Sequence, residues 1–282
     1  MGASWRSQGT LGIIQCARDR LIGAQSSFAA EVLDIADGAR GIEIGGPSRL
    51  FGRHGVIPIY PVMGILDNVN FSDQTLWEES LGEGTPYAPT GIPIGIQFLR
   101  ESTDLRDIPN HSYDVVLSSH CLEHIANPLR ALKEWRRICK PGGYLCLIVP
   151  HRDRTFDWKR PVTPMDHYLS DEHSNVDEGD VTHFDEVIRL HDLRRDSGVR
   201  SVEDLKRRVA DNLKSRAVHH HVFDLRSTAP LIRAAGWTPT AMEARRPSDI
   251  FVFAQNSTSS FTEYNPASIV RGSPFRSDQQ IH

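Results

Sequence analysis

Residues 41–48 read Gly-Ile-Glu-Ile-Gly-Gly-Pro-Ser, and the fold class can be inferred from this segment. An apolar run that closes on a carboxylate and a glycine pair is typical of a buried parallel strand passing into a loop where a ligand approaches the backbone. A second apolar run follows at 113–120, and a third at 144–149 comes after Pro141-Gly142-Gly143. Strand, helix and strand at this spacing predict a parallel α/β sheet.

The apolar pattern on either side predicts the remaining elements. Leu122, Ile125, Leu129 and Leu132 recur at helical spacing, so we expect a helix over 121–139 between the second and third runs. Other short apolar runs predict strands at 62–67, from 97 onward and at 250–254. Amphipathic periods predict helices at 11–33, within 185–217 and at 228–235.

Composition and charge disfavour several classes of function. The 282 residues carry 36 acidic and 32 basic side chains, a formal net charge of -4, so no strong positive field favours nucleic acid. No apolar run reaches the roughly 18 residues that a membrane span needs, and the run at 11–14 is too short for a signal peptide. The four cysteines show no Cys-x-x-Cys spacing, which favours reduced thiols. We expect a cytoplasmic protein with no membrane span and no nucleic-acid partner.

The three apolar runs resemble the class I S-adenosylmethionine-dependent methyltransferases, in the subgroup with the type-11 methyltransferase domain. The resemblance is carried by residues 43–46, 113–125 and 132–149. It implies a Rossmann-like, seven-stranded, mostly parallel α/β sheet with helices on both faces. The cofactor S-adenosyl-L-methionine would lie across the carboxyl ends of the first strands.

The resemblance also implies cofactor-binding residues by motif position. Glu43 and Gly45 would approach the methionine part, with Gly46 permitting close approach, and Asp67 would bind the ribose. Asp67 follows Gly45 by 22 residues, near the spacing of about 20 at which nucleotide-binding α/β folds place such an acid. Further contacts would come from Glu101, Ser102 and Thr103 to the adenine, and from Ser119 and His120 at the fourth strand. Pro47 and Arg49 stand where the family usually has glycine, so the loop should follow a different path.

Five segments follow from these patterns. They are an N-terminal helical segment at 1–37, a cofactor-binding core at 38–150, an inserted substrate cap at 151–220, a return to the sheet at 221–256 and a flexible tail at 257–282. The cap and its junction hold most of the 13 histidines.

Methyl transfer to a hydroxyl requires a base that takes the acceptor's proton. His151, His167 and His220 are our candidate catalytic bases. Aromatic, acidic and basic side chains at 155–171 loosely resemble methyltransferases that accompany glycan-building enzymes, and suggest a sugar or glycan acceptor. Trp158 and Tyr168 would stack on a sugar while Asp157 and Arg160 bind its hydroxyls. The same pattern also fits a surface loop held by an ion pair between Asp157 and Arg160.

A divalent metal and the identity of the acceptor are left open by the sequence. The donors His167, Asp171, His173, Asp177 and His183 match no named zinc spacing. We expect an S-adenosylmethionine-dependent O-methyltransferase that acts on a sugar, oligosaccharide or polysaccharide precursor. The alternatives are methylation of a non-sugar small molecule and a binding module of the same fold without catalysis. The oligomeric state is not predicted.

Overall fold

The structure, a computed structural model, describes residues 25–75, 81–257 and 272–279. Its strands are β1 (Arg40–Ile44), β2 (Ile65–Asn70), β3 (Pro86–Tyr87), β4 (Gly95–Leu99), β5 (Tyr113–Ser119), β6 (Cys139–Pro150), β7 (Thr238–Arg245) and β8 (Asp249–Gln255). They form one eight-stranded sheet in the order β3-β4-β2-β1-β5-β6-β8-β7. β1 pairs in parallel with both β2 and β5, whereas β8 runs antiparallel to β6 and β7.

Helices cover both faces of this sheet. In the described ranges they are α1 (Ala29–Ala36), α2 (Pro128–Ile138), α3 (Met165–His173), α4 (Phe184–Leu190), α5 (Val202–Ala210), α6 (Asn212–Ser215) and α7 (Leu225–Ala234). One apolar cluster joins α2 and α7 to the sheet, and a second joins α1 and the segment 50–63 to the opposite face. None of these helices has the length and apolar character needed to cross a bilayer.

The predicted sheet class is confirmed, with the short strand β3 added at one edge. Strand β1 lies between β2 and β5, so the order of the strands changes direction between β1 and β5. The loops after β1 and β5 therefore lead to opposite sides of the sheet. Open α/β sheets bind ligands in the crevice formed at such a point. The glycine loop after β1 therefore lies at the expected edge.

Several element boundaries differ from the prediction, and two of these differences affect the site. Strand β2 runs from Ile65 to Asn70, three residues beyond the predicted end, because its polar side chains are buried rather than exposed. The helix after β5 begins at Pro128 and is preceded by a short 3-10 turn, Leu122–His124. Proline disfavours helical geometry at the residue before it, and Asn127 instead caps the helix by accepting from the Arg130 amide.

The inserted segment folds as a helical cap with an apolar cluster of its own. Val187, Val199, Leu205, Val209 and Val218 are buried together there. The tail prediction is wrong for residues 272–279, where Asp278 is fully buried and accepts from the Leu225 amide. Most of the predicted leading helix lies outside the described residues, and α1 begins at Ala29.

Candidate active site

A cavity of about 740 Å³ lies between the carboxyl ends of the central strands and the cap. Its floor includes Gly45 and Gly46 after β1, Asn70 at the end of β2, and Ser119 at the end of β5. Small-molecule and cofactor sites typically enclose about 300–1,000 Å³. The cavity is therefore large enough for a nucleoside cofactor with part of an acceptor.

The glycine loop is held by amide side chains of the next strand. Asn68 accepts from the Gly46 amide at 3.1 Å, and Asn70 Nδ2 donates to the Gly46 carbonyl oxygen at 3.0 Å. Gly45 has a φ of +81°, and a Cβ there would lie 2.8 Å from Cys121 Sγ. After Pro47, the Ser48 hydroxyl donates to Ser119 Oγ at 3.0 Å. Gly45 and Gly46 thus line the cavity although the loop lacks the usual later glycines, and neither position has room for a side chain.

Glu43 lies beneath this loop and does not line the cavity, so the predicted direct approach to the methionine part is corrected. Its buried carboxylate accepts from the Tyr60 hydroxyl at 2.8 Å and from the Tyr87 hydroxyl at 2.6 Å. Burial raises the pKa of Glu43 to about 7, although both tyrosine hydroxyls oppose this shift. A Cβ at Gly46 would lie 2.3 Å from Glu43 Cδ, so this carboxyl group supports the loop from below.

The structure places Asp67, the predicted ribose ligand, outside the cavity lining. Asp67 sits in the middle of β2, where it accepts from the Tyr113 hydroxyl, the Arg40 guanidinium and the Ile96 amide. Asn70, at the carboxyl end of the same strand, lines the cavity instead. The error follows from the predicted strand boundary, since three residues along a strand span about 10 Å.

The other predicted cofactor residues are mostly at the cavity. Glu101, Ser102, Ser119 and His120 line it, whereas Thr103 does not. Arg216 of the cap forms ion pairs with Glu101 at 2.5 Å and with Glu178 at 2.6 Å.

His120 is held between two acids at the cavity wall. Its Nε2 lies 3.1 Å from Asp249 Oδ1, and its Nδ1 lies 3.5 Å from Glu123 Oε1. Burial disfavours the charged ring, but these carboxylates outweigh it and raise the pKa of His120 to about 10. His120 is therefore an imidazolium near neutral pH, which makes it a cation at the site and a poor proton acceptor.

None of the three predicted bases lines the cavity. His151 is fully buried, with Nε2 3.0 Å from Asp278 Oδ2 and the ring stacked on Phe275. His220 is fully buried beside Asn212 Nδ2, at 3.2 Å. His167 faces His183, with 3.1 Å between the two Nε2 atoms. These positions arise because the cap folds back on itself, which the linear pattern of histidines does not reveal.

The predicted sugar-binding residues are structural in this fold. Asp157 and Arg160 are buried and form an ion pair at 3.0 Å, as in the alternative interpretation, but inside the cap rather than on its surface. Tyr168 is fully buried against Phe223, and Trp158 lies on the surface with the Arg195 guanidinium over its ring. None of the four lines the cavity.

Three residues that sequence reasoning missed, Glu123, His124 and His219, face the cavity together. Each offers a ligand or proton-accepting atom within 4.8 Å of the others. His219 Nδ1 lies 2.5 Å from Asp157 Oδ2, and His124 Nδ1 lies 3.2 Å from the Val218 carbonyl oxygen. Side chains alternate along an extended segment, which separates His220 from both His219 and His221. The prediction selected His220 for this reason, whereas His219 lines the cavity.

The pair formed by Asp157 and His219 has the geometry of a general base and its orienting acid. A ring that donates from Nδ1 to a carboxylate carries its lone pair on Nε2. Burial opposes ionisation of Asp157, yet His219 and Arg160 lower its pKa below the ordinary value, so the carboxylate stays charged. For His124, burial and the neighbouring His219 lower the pKa to about 3, so its ring stays neutral.

Arginines outnumber carboxylates in the lining of the cavity. The lining includes six arginines and four carboxylates, namely Arg49, Arg100, Arg154, Arg195, Arg208 and Arg216 with Glu101, Glu123, Glu178 and Asp196. Phe156 adds an aromatic ring that stacks on His191.

The five predicted metal donors separate into two groups. His167 Nε2 lies 3.4 Å from Asp171 Oδ2 and 3.1 Å from His183 Nε2, so these three come together. His173 and Asp177 are exposed. Burial, with repulsion from neighbouring cations, lowers the pKa of His183 to about 4.

The chain is similar in sequence to known methyltransferases over part of its length. An uncharacterized methyltransferase of Schizosaccharomyces pombe is 27% identical over 118 residues, which cover 41% of this chain and 38% of the relative. The ubiquinone/menaquinone biosynthesis C-methyltransferase UbiE of Coxiella burnetii is 24% identical over 139 residues, covering 49% and 50%. The chain thus spans half or less of the length of these relatives.

Solved structures of low sequence identity are also similar. An S-adenosylmethionine-dependent methyltransferase from Mesorhizobium loti gives a TM-score of 0.47 at 16% identity, with 80% of this chain and 95% of the other covered. Residues 75–147 match the family described as Methyltransferase domain. The chain therefore matches a methyltransferase domain over residues 75–147 and has the Rossmann-like α/β sheet that the sequence predicts.

Proposed function

We propose that this protein transfers the methyl group of S-adenosylmethionine to a hydroxyl of a polar acceptor, with a sugar that bears an anionic group as the favoured class. The observation that carries the proposal is the buried pair of Asp157 and His219, which faces a cavity whose floor is the glycine loop. A hydroxyl acceptor must lose a proton during transfer, and this pair is built to accept it.

The floor of the cavity suits the donor. Gly45 lines it without a side chain, Asn70 offers an amide at the end of β2, and Glu101 and Ser102 follow β4. When bound, the donor supplies a methyl group already activated by a sulfonium. The chain then has to align the acceptor oxygen with the S–CH3 bond, exclude water and receive the proton at His219 Nε2.

Charge and polarity on the acceptor side favour a sugar with a phosphate or carboxylate. Arg154 lies on this side and Arg195 beside it, while Phe156 offers a ring on which a sugar face can stack. UbiE, named for quinone biosynthesis, represents the alternative acceptor class, a non-sugar small molecule. An apolar quinone would make few favourable contacts with the charged side chains of this lining.

The test is a transfer screen with methyl-labelled S-adenosylmethionine and three acceptor sets: neutral sugars, sugar phosphates or uronates, and phenols or quinols. We expect label in the anionic sugar set. Transfer to phenols or quinols alone would reject the sugar class. Donor binding by calorimetry without transfer to any set would support a binding module that does not catalyse.

Asn70 and Asp67 give a paired prediction for donor binding. Asn70→Ala should weaken the affinity for S-adenosylmethionine by about 1–3 kcal/mol, the cost of leaving polar groups of a buried ligand unpaired. Asp67→Asn should leave the affinity within a factor of about two and lower the melting temperature, because Asp67 contacts only protein groups. Calorimetric titration with donor measures both. The reverse ranking would restore Asp67 as the ribose ligand.

A further inference from the structure

A second group of histidines lies where the cap meets the core, outside the cavity lining. His167 belongs to α3, His183 precedes α4, and His221 lies on the segment that returns to the sheet. One ring nitrogen of each lies within 4.8 Å of those of the other two. Three segments distant in sequence thus present imidazoles to a common point.

The distances are close to those of a metal-binding set. Nitrogen ligands about 2.0–2.1 Å from a tetrahedral zinc ion are roughly 3.3 Å from one another. The Nε2 atoms of His167 and His183 are 3.1 Å apart. Asp171 Oδ2 lies 3.4 Å from His167 Nε2 and 3.8 Å from His221 Nε2, so a carboxylate oxygen stands beside the imidazoles.

Two of these side chains have buried atoms that lack hydrogen-bond partners. Asp171 Oδ2 is buried without one, as is His221 Nδ1. His221 Nε2 lies 3.1 Å from the carbonyl oxygen of Ala126, to which it can donate. That bond fixes the tautomer with a lone pair on Nδ1, and ligating histidines commonly orient their rings through such a bond to a backbone carbonyl. A cation would satisfy the lone pairs that the protein leaves unpaired.

We propose that His167, His183 and His221 bind a Zn²⁺ ion, with Asp171 beside the three imidazoles. Three imidazoles with an oxygen ligand in the fourth position form a set that zinc accepts. The ion would join α3, the start of α4 and the return segment, and so fasten the cap to the core. Its role is structural, because none of the four residues lines the cavity.

Two other groups of donors fit a metal less well. Asp180 approaches His220 and His183, but its carboxylate already accepts from the Thr182 hydroxyl and amide. Glu123, His124 and His219 face the cavity, and His219 is already bound to Asp157. Glu123, His124 and His219 nevertheless form an alternative location for the ion, and the test must distinguish the two locations.

The test uses the full chain purified without a histidine tag, freed of metal by a chelator and titrated with Zn²⁺ in a calorimeter. We expect one ion per chain and a Zn²⁺-dependent rise in melting temperature. His167→Gln should weaken Zn²⁺ binding at least about tenfold and abolish that rise. His167 is partly exposed, so its replacement should leave the fold intact in the absence of metal.

Two control variants locate the ion. His173→Gln changes an exposed histidine of the same helix, and we expect unaltered Zn²⁺ affinity. His219→Asn should also retain the ion. The proposal is overturned if the unmodified chain binds no Zn²⁺, if His167→Gln binds it as tightly as the unmodified chain, or if His219→Asn loses the ion while His167→Gln keeps it.

Discussion

His219→Asn is expected to lower kcat for transfer to a hydroxyl acceptor by about 10²–10⁴-fold, the usual contribution of a positioned base. Asparagine is close in size to part of the imidazole but cannot accept a proton. The proton then has no acceptor that the chain positions beside the acceptor hydroxyl. Rates with the acceptor identified by the screen measure the effect.

Controls separate this loss of chemistry from a loss of binding or folding. Donor affinity of His219→Asn should stay within about threefold of the unmodified chain, because the base contacts the acceptor rather than the donor. His173→Asn, at an exposed site of the cap, should keep full activity. A rate that survives in His219→Asn and disappears in His124→Asn would assign the proton to His124 instead.

Arg160→Ala is expected to destabilise the protein by about 3–5 kcal/mol, as the removal of one partner from a buried ion pair does. The guanidinium is 1% exposed and donates to Asp157, to Glu186 and to the carbonyl oxygens of His219 and His220. Its loss would leave a buried carboxylate and two buried carbonyls without these donors. Chemical denaturation measures the change in the free energy of unfolding.

The matched control is Arg207→Ala, which breaks an ion pair with Asp204 in which the two side chains are 79% and 33% exposed. Exposed pairs contribute about 0–1 kcal/mol, so this variant should be nearly as stable as the unmodified chain. Arg160→Lys should fall between the two, because lysine keeps the charge but cannot reach several acceptors with one planar group. Equal losses in Arg160→Ala and Arg207→Ala would show that the buried network adds little stability.

The sheet and the donor loop could be predicted because their signals are local. Strands β1, β5 and β6 are buried on both faces and therefore read as apolar runs, and the glycine pair after β1 marks the place where a ligand meets the backbone. The boundary of β2 was missed because Asn68 and Asn70 are polar yet buried. Their amides bind Gly46, a contact that depends on the pairing of β1 with β2.

The acceptor side could not be predicted, since its residues meet only after the cap has folded. His219 and Asp157 are 62 positions apart, and Arg160 joins them by binding the His219 carbonyl oxygen. The sequence shows three adjacent histidines at 219–221 but does not indicate which side chain faces the cavity. Composition correctly indicated a polar cap, whereas the individual contacts depend on packing that has no local pattern.

The guanidinium of Arg216 links the cap to the floor of the cavity through two ion pairs. It bridges Glu101, which follows β4, and Glu178 of the cap. A bound molecule that draws Glu101 or Glu178 away from Arg216 changes the interaction of Arg216 with the other carboxylate. The binding free energies at the two ends of the cavity are therefore linked. Donor and acceptor should consequently alter each other's affinity by one common factor, even if they never touch.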